Sequence, residues 1–457
     1  MPVKNRNMLT FYALILTQTF SLIGSRISGL AIGIWVFGDT GSATPLALVA
    51  FFTVLPMVLA SSVSGVMADR WDRRYVMVLA DAGQAVGTLL LLISFVSGQF
   101  ELWHLYTIAA IQAIFGVFQG PAFNASVTML IPDEQRDRAN AIQQLTGPMA
   151  GIISPTIAAL IYAAAGVAGA ILVDLMTFVV AMIVVFMIRI PRPTQTDEGK
   201  AMQGSIWKEA LGGLRYLFQR RVLFFIMLYA SLINFIFSFS SILTTPYVLL
   251  RLDYNEVALG GVLSVMNLGA VVGGIIIGVW GGTRPRMRVI VPALIVSGVF
   301  MAAYGTAQTV TALAAILFMM MLPMPIINAL FMSIIQVKTP PDIQGRVFAV
   351  LNQMSMLLMP LAYLLAGPLA DQVFEPAVGG SGWATFAPLV GSGPGAGIGL
   401  IMMVCGLMLS ITTTLVFMVP NLRNMERILP DYVPPEHITD RRTITEELPA
   451  VNPGIAS

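Results

Sequence analysis

Three ionisable residues, Arg26, Asp81 and Asp174, lie inside long apolar stretches of the sequence. A guanidinium group binds anions, and a carboxyl group accepts a proton or pairs with a cation. A charge held in apolar surroundings is costly unless it is paired or hydrogen-bonded. These residues are therefore candidates for binding a charged ligand or carrying protons. The alternative is structural: Arg26 pairs with Asp174, or Asp81 pairs with a neighbouring arginine.

A dense charge cluster lies in the stretch GVMADRWDRRYVM, which begins at Gly65. Only 11% of the chain is charged, yet charges fill all but one of positions 69–74. They are Asp69, Arg70, Asp72, Arg73 and Arg74. A carboxylate beside a helix N-terminus is stabilised by the helix dipole and by unpaired N–H groups. The cluster therefore either joins two helices or only marks the orientation of the chain.

The composition indicates which environment these residues occupy. The chain has 457 residues, of which 57% are hydrophobic, whereas soluble proteins average about 45–50% apolar and about 25% charged. One cysteine and two well-separated histidines give neither a disulfide framework nor a metal site. We therefore expect a protein of the lipid bilayer, with no cofactor and no nucleic-acid partner.

Twelve stretches reach the roughly 20 apolar residues that a helix needs to cross a membrane. Helices are the expected element, because lipid offers backbone groups no hydrogen-bonding partner. The predicted spans are 9–37, 44–68, 75–97, 102–130, 139–165, 168–190, 222–250, 256–281, 289–308, 311–337, 347–370 and 397–419. The first is too long for the apolar region of a signal peptide, so we interpret it as a retained span.

The distribution of positive charge predicts the orientation. All 25 Lys and Arg residues except Arg26 and Arg251 lie at the termini, in the connections from even to odd spans, or at their edges. Positive residues are enriched in cytoplasmic loops. Both termini of this multi-pass protein are therefore expected in the cytoplasm, with the chain in a bacterial plasma membrane.

The spans divide into two halves. We predict an N-terminal six-helix bundle at 1–190, a cytoplasmic linker with an amphipathic helix at 191–221, a C-terminal six-helix bundle at 222–420, and a disordered tail at 421–457. The loops before spans five and eleven share residues: Pro132, Arg138 and Ala141 match Pro340, Arg346 and Ala349. Two related bundles around a midplane cavity are typical of secondary transporters.

The charge cluster matches the pattern G-x-x-x-D-R-x-x-R-R at Gly65, Asp69, Arg70, Arg73 and Arg74. Between spans two and three of twelve, this pattern resembles the major facilitator superfamily. The stretches TGSATPLALVAFFTVLP, IPDEQRDRANA, GPLADQVFEP and GSGPGAGIGL resemble its macrolide-efflux and enterobactin-exporter branch. The resemblance covers residues 8–420 and implies an all-α membrane protein with twelve transmembrane helices in two six-helix bundles.

The resemblance also implies roles for particular residues. Asp69 would lie against the start of span eleven near Arg346, with the arginines pairing locally, and latch the cytoplasmic side. Span one would line the cavity, which makes Arg26 the best cavity candidate among the three intramembrane charges. Span five holds the glycine-proline residues of drug–proton antiporters, where an ordinary kinked helix is the alternative: Gly147, Pro148, Gly151 and Pro155.

Polar residues within the apolar spans are candidates for contact with a substrate, or for hydrogen bonds between helices. They are Gln112, Gln119, Asn124, Asn234, Asn267 and Asn328. Methionines are frequent in spans ten and eleven, and methionine suits promiscuous binding surfaces. Pro323 and Pro325 are expected to interrupt span ten.

These observations favour a monomeric secondary active transporter that exports small amphiphilic, drug-like molecules by proton antiport. The alternatives within transport are export of a siderophore or another metabolite, lysolipid flipping, or uptake. A membrane enzyme is disfavoured because no metal-ligand cluster or nucleophile motif occurs, and a sensor is disfavoured by the intact loop pattern. The nucleotide-binding pattern G-x-x-x-x-G-K-[ST] is absent, which argues against an ATP-driven pump.

Overall fold

The computed structural model describes residues 4–70, 72–131, 135–188, 221–339 and 344–419. In these ranges the chain forms helices joined mostly by short turns. The linker at 191–221, except Arg221, and the tail at 421–457 lie outside the described residues, as does most of the loop before span five.

The N-terminal half begins with α1 (Lys4–Thr40), α2 (Thr44–Arg70), α3 (Arg73–Val96) and α4 (Leu102–Leu130). A single long helix, Arg136–Met187, follows. Gly166 interrupts it with left-handed backbone angles, φ 65° and ψ −168°, which glycine adopts without steric cost. The arms 136–165 and 167–187 are therefore two spans, α5 and α6, which meet at one residue.

The C-terminal half contains α7 (Arg221–Arg251), α8 (Glu256–Trp280), α9 (Met287–Tyr304) and α12 (Ala396–Met418). Two of its spans are built from segments. The tenth, α10, joins Val310–Met321 to Pro323–Lys338, with the break directly before Pro323. The eleventh, α11, joins Gln344–Met356 to Met359–Leu369 and continues through Ala370–Phe374 to Ala377.

Eleven helices within the described residues are long and apolar enough to cross a membrane. The helix 142–187 among them contains two spans. Twelve spans result, which confirms the predicted fold class. We call the face where α1 begins and α12 ends the terminal face, and the other side the opposite face.

Among the described residues, the two halves share a core at the opposite face. The main cluster of buried apolar residues includes Phe37 and Leu46 from the N-terminal half with Tyr247 and Leu259 from the C-terminal half. Towards the terminal face, the described residues form separate clusters, one in the N-terminal half and two in the C-terminal half. The described residues therefore close the opposite face, whereas those described near the terminal face form no core that both halves share.

Small residues let α5 and α8 approach closely across the two halves. A Cβ atom placed on Gly260 would lie 2.6 Å from the carbonyl oxygen of Pro155. Ser264 donates a hydrogen bond to the carbonyl oxygen of Ile152 at 2.7 Å, and its hydroxyl lies 2.9 Å from that of Thr156. Small and hydroxyl-bearing residues are the usual contacts between membrane helices.

A glycine on α8 offers a test of the packing within the C-terminal half. A Cβ on Gly273 would collide with the Leu322 carbonyl oxygen at the break in α10, whereas a Cβ on Gly278 of the same helix meets nothing within 4 Å. Overpacking costs about 1–3 kcal/mol. We expect Gly273→Ala to lower the melting temperature in detergent while Gly278→Ala leaves it nearly unchanged. Equal melting temperatures for the two variants would contradict this packing.

Candidate functional site

A cavity of about 230 Å³ lies among α7, α9, α10, α11 and α12 of the C-terminal half. Its walls are mainly aliphatic, aromatic and methionine side chains, and the residues described as lining it carry no charge. Its polar groups include Tyr229, Asn234, Asn328, Asn352, Ser355 and Thr413. Apolar walls with a few polar groups are typical of small-molecule sites.

The amide groups of this cavity differ in their availability. Asn234 donates to the carbonyl oxygen of Ala230 at 2.9 Å, and Tyr229 and Thr413 pair at 2.5 Å. Asn328 and Asn352 are exposed and make no hydrogen bond with any residue that the structure describes. The cavity therefore presents two free amides to a bound molecule. Asn234 and Asn328 were predicted from their position in apolar spans, whereas Asn352 and Ser355 were missed.

Asp81 lies in the N-terminal half, fully buried. Gln119 of α4 donates to its Oδ1 at 2.5 Å, and Gln18 of α1 donates to its Oδ2 at 3.4 Å. Gln119 also receives a hydrogen bond from Gln84 at 2.9 Å. No arginine among the described residues pairs with Asp81. Gln119 therefore joins α4 to α1 and α3 within one bundle, away from the C-terminal cavity.

Asp174 is the second buried carboxyl group, 5% exposed. Ser25 donates to its Oδ1 at 3.0 Å, and Thr88 donates to its Oδ2 at 3.4 Å. Gln112 donates to Thr88 at 3.0 Å and to the Gln84 carbonyl oxygen at 2.9 Å. These bonds connect both carboxyl groups into one polar network, made of Gln18, Ser25, Asp81, Gln84, Thr88, Gln112, Gln119 and Asp174.

Arg26 lies near the middle of α1, and its side chain is exposed. It makes no ion pair or hydrogen bond with a described residue, so the predicted alternative of an Arg26–Asp174 pair is not formed. A Cβ on Gly151 of α5 would lie 2.9 Å from Arg26 Nη1 and would collide with the Asn267 side chain of α8. The guanidinium group therefore lies where α1, α5 and α8 meet, at the junction of the two halves.

The remaining predicted residues are spread over several places. Asn124 is exposed on α4 and accepts a hydrogen bond from Gln143 at 2.6 Å. Gly147 and Pro148 lie nearer the terminal face of α5, and a Cβ on Gly147 would meet nothing within 4 Å. The α5 helix continues through Pro148 and Pro155. In α10, Pro325 packs near Gly273 of α8.

The charge cluster between α2 and α3 is described only in part. Arg74 donates to the carbonyl oxygen of Phe186 and lies over its ring, a contact within the N-terminal half. Asp72 caps α3 by accepting from the Arg74 amide at 3.1 Å. Arg73 begins α3. The side chains at positions 65, 69, 70 and 346, which belong to the predicted latch, lie outside the described part of the chain.

A carboxylate on the opposite face joins the two halves directly. Asp371, at the end of α11, accepts hydrogen bonds from the amides of Ala43 at 2.9 Å and Thr44 at 2.8 Å. It also accepts from the hydroxyls of Thr44 and Ser42. A Cβ on Gly367, one turn earlier, would lie 2.5 Å from Thr44 Cα. We call Asp371 with Ser42, Ala43 and Thr44 the opposite-face clamp.

A second carboxylate on the same face acts within one half. Glu375 accepts from the amides of Ile398 at 2.8 Å and Gly395 at 3.3 Å, at the start of α12. The two acids of the stretch GPLADQVFEP each hold a helix N-terminus, a role that was not predicted from the sequence. The polar residues that precede α2 are the sequence feature that could have indicated a contact with an acid.

Arg251 is one of the two positive residues that lie outside the predicted cytoplasmic segments. Its side chain contacts residues of the C-terminal half, to which it belongs. It donates to the carbonyl oxygen of Val390 at 2.6 Å and lies 5.2 Å from the centre of the Tyr247 ring. The Tyr247 hydroxyl in turn lies within hydrogen-bond distance of the carbonyl oxygens of Tyr304, Gly305 and Ala307. Arg251 therefore packs against residues of the C-terminal half at the opposite face.

Comparison with known proteins identifies the family. The model of the Major Facilitator Superfamily matches residues 14–363. Macrolide efflux protein A of Streptococcus pyogenes is 27% identical over 379 residues, which cover 82% of this chain and 92% of that protein. The multidrug efflux pump Tap of Mycobacterium tuberculosis is 25% identical over 386 residues, which cover 81% of this chain and 89% of the pump.

Solved structures agree on the fold. A bacterial homologue of the human lysosomal transporter Spinster, in an inward-facing and occupied conformation, superposes with a TM-score of 0.70 at 14% identity, covering 95% of this chain and 99% of that one. The nucleoside transporter NupG gives a TM-score of 0.66 at 10% identity, covering 89% of this chain and 99% of that one.

Proposed function

This chain belongs to the Major Facilitator Superfamily, and from that premise we propose that it exports small amphiphilic molecules in exchange for protons by alternating access. It is a multi-pass membrane transporter whose relatives include efflux pumps. The observation that carries the proposal is the uncharged, mostly apolar cavity of the C-terminal half, with the free amides of Asn328 and Asn352.

The cavity favours an amphiphile over a sugar or an ion. A strongly polar solute would need many hydrogen-bonding groups to replace its water, because unpaired polar groups are costly away from solvent. An amphiphile needs apolar contact and a few amides to orient it. Met332 and Met356 in the wall adapt to different shapes, which supports a range of related substrates, macrolide-like and drug-like compounds among them.

The polar network supports proton coupling. Asp81 and Asp174 are buried, and their hydrogen-bonding partners are neutral side chains. Ionisable residues inside a membrane bundle are expensive to keep and often belong to proton relays. We assign proton binding to these two carboxyl groups, with the glutamines of the network linking them.

The asymmetry of the two faces supports alternating access. The opposite face is closed by the shared core and by the opposite-face clamp, while the clusters near the terminal face are separate. Export also requires a state that is open at the opposite face and closed at the terminal face. In that state Asp69 would hold the start of α11 at the terminal face, as the family resemblance implies, and Asp371 would release the start of α2. Helices α2 and α11 would thus be joined through Asp69 in one state and through Asp371 in the other.

Transport assays in proteoliposomes test the proposal. Protein in vesicles with an imposed pH gradient should accumulate amphiphilic drugs, macrolides included, and an ionophore that collapses the gradient should abolish the accumulation. Protein-dependent accumulation that is indifferent to the gradient would rule out proton coupling. Absence of transport for every amphiphile tested would overturn the proposed function.

Orientation is a further part of the proposal, with both termini in the cytoplasm of a bacterial cell. Cysteines introduced at Gly199 and Ser457 should react with a membrane-impermeant maleimide only from the cytoplasmic side, and one at Gly380 only from outside. The native Cys405 is buried, so it should contribute little background. Labelling of Gly199 from outside would contradict the six-plus-six arrangement.

A further inference from the structure

Arg26 is a positive charge at the middle of the membrane without a protein partner among the described residues. Its span runs from Met8 to Thr40, and an arginine side chain stays protonated in proteins. The two acids that might have neutralised it, Asp81 and Asp174, are buried and held by other groups. A charge at this depth is costly unless it meets water or an opposite charge. Since its side chain is exposed, Arg26 is open to water and to an anion that enters from solution.

The donor groups of Arg26 are available to such an anion. Gly151 lies under the guanidinium group, and any side chain there would push against Arg26 and Asn267. Asn267 uses its Nδ2 within its own helix, donating to the Leu263 carbonyl oxygen at 2.8 Å. All five N–H donors of Arg26 remain free of hydrogen bonds to described residues. A planar guanidinium fork matches the two oxygens of a carboxylate or phosphate.

The position of Arg26 agrees with a substrate site. Gly151 and Asn267 lie near the middles of α5 and α8, at the junction of the two halves. Secondary transporters bind their substrates near the membrane midplane at this kind of junction. The C-terminal cavity, by contrast, has no charged residue in its described lining. The two regions therefore differ in chemistry: one suits an anionic group and the other suits an apolar body.

We propose that the substrates of this transporter include acidic amphiphiles, and that Arg26 binds their carboxylate or phosphate group. This inference rests on the proposed function and adds a defined class of substrate to it. It predicts that compounds with the same apolar body are distinguished by the charge of their head group.

Three fluorescent probes test the inference on the purified full chain in nanodiscs. They share one apolar dansyl-undecyl portion and differ in the charge of the head group. They are 11-(dansylamino)undecanoic acid, its neutral methyl ester, and the cationic mono-dansyl derivative of 1,11-diaminoundecane. Wild-type protein should bind the acid more tightly than the ester or the amine. Hydrogen bonds to a charged group predict a ratio of about 10- to 100-fold in Kd.

Variants at Arg26 test whether this residue causes the preference for the acid over the ester. Arg26→Gln should bring the Kd for the acid close to that for the ester, and Arg26→Lys should retain part of the ratio, because lysine keeps the charge but lacks the fork. The ratio between acid and ester is measured within each variant, so a smaller yield of folded protein does not affect it. An unchanged ratio in Arg26→Gln would overturn the role of Arg26.

Competition separates the two sources of such an acid. Displacement of the probe by 1-oleoyl-lysophosphatidylglycerol but not by 2-naphthoate would identify a lipid as the substrate, and the reverse would identify a soluble organic acid. Equal binding of the acid, ester and amine would overturn this inference while leaving the proposed function intact. Failure to bind or transport any of the three would overturn both.

Discussion

Replacing Asp371 with asparagine should open the opposite face of the protein. The carboxylate accepts hydrogen bonds from two amides and two hydroxyls across the two halves, and these contacts exist only while that face is closed. Hydrogen bonds to a charged acceptor are worth about 1–2 kcal/mol more than those to a neutral one. Asp371→Asn should therefore shift the ratio of closed to open molecules by about 5- to 30-fold.

The matched control for this change is Glu375→Gln. Glu375 lies one turn further along the chain, but its hydrogen bonds go to the start of α12 in its own half. Those bonds do not separate when the halves move, so the substitution should leave the ratio of conformations nearly unchanged. Any loss of stability common to both variants is thereby distinguished from a change in conformation.

Spin labels on the opposite face measure the shift. Cysteines at Gln99, between α3 and α4, and at Thr306, between α9 and α10, are exposed and lie in different halves. Double electron–electron resonance should show a larger population of long distances in Asp371→Asn than in wild type. Identical distance distributions, or an equal shift in Glu375→Gln, would show that the clamp does not control this face.

Replacing Asp81 with asparagine should uncouple transport from protons. Asparagine keeps nearly the shape of the aspartate, and its carbonyl oxygen can still accept the shorter hydrogen bond, from Gln119, but it cannot carry a proton between the two sides. In proteoliposomes loaded with pyranine, the substrate-dependent pH change should fall to the level of empty vesicles. Exchange of substrate between the two sides, which needs no net proton movement, should persist.

The control is Asp72→Asn, which neutralises a carboxylate at the N-terminus of the same helix but outside the polar network. It should keep the pH change. A normal pH change in Asp81→Asn would exclude Asp81 as the essential proton carrier. Loss of both the pH change and exchange would indicate that Asp81 supports the fold, and the melting temperature of the variant would identify that outcome.

The fold could be predicted from the sequence because lipid allows few solutions. Apolar length alone separated the spans, and the predicted boundary between spans five and six fell on either side of Gly166. The absence of a loop there could not be predicted, since one glycine with a positive φ reverses the chain without leaving a polar segment. The break in α10 was predictable from Pro323, because the preceding turn loses a hydrogen bond.

The candidate site was predictable only where a polar residue stands alone in an apolar span. That rule identified Asn234, Asn328 and Arg26. It also selected Gln112 and Gln119, which instead hold helices of one bundle together, because composition does not tell which face of a helix meets which neighbour. The pairing of Asp371 with Thr44 joins residues far apart in sequence, and no local pattern connects them.

The opposite-face clamp also determines how the first turn of α2 is held. Ala43 accepts the first hydrogen bond of that helix, from the Ala47 amide at 3.0 Å, but its methyl side chain cannot cap the helix as serine or aspartate would. Asp371 supplies the cap from the other half. When the opposite face opens, the amides of Ala43 and Thr44 lose their acceptor, and an uncapped helix end frays. In the proposed alternating-access cycle, one helical turn would therefore melt and re-form, and its amide hydrogens would exchange with solvent only while the opposite face is open.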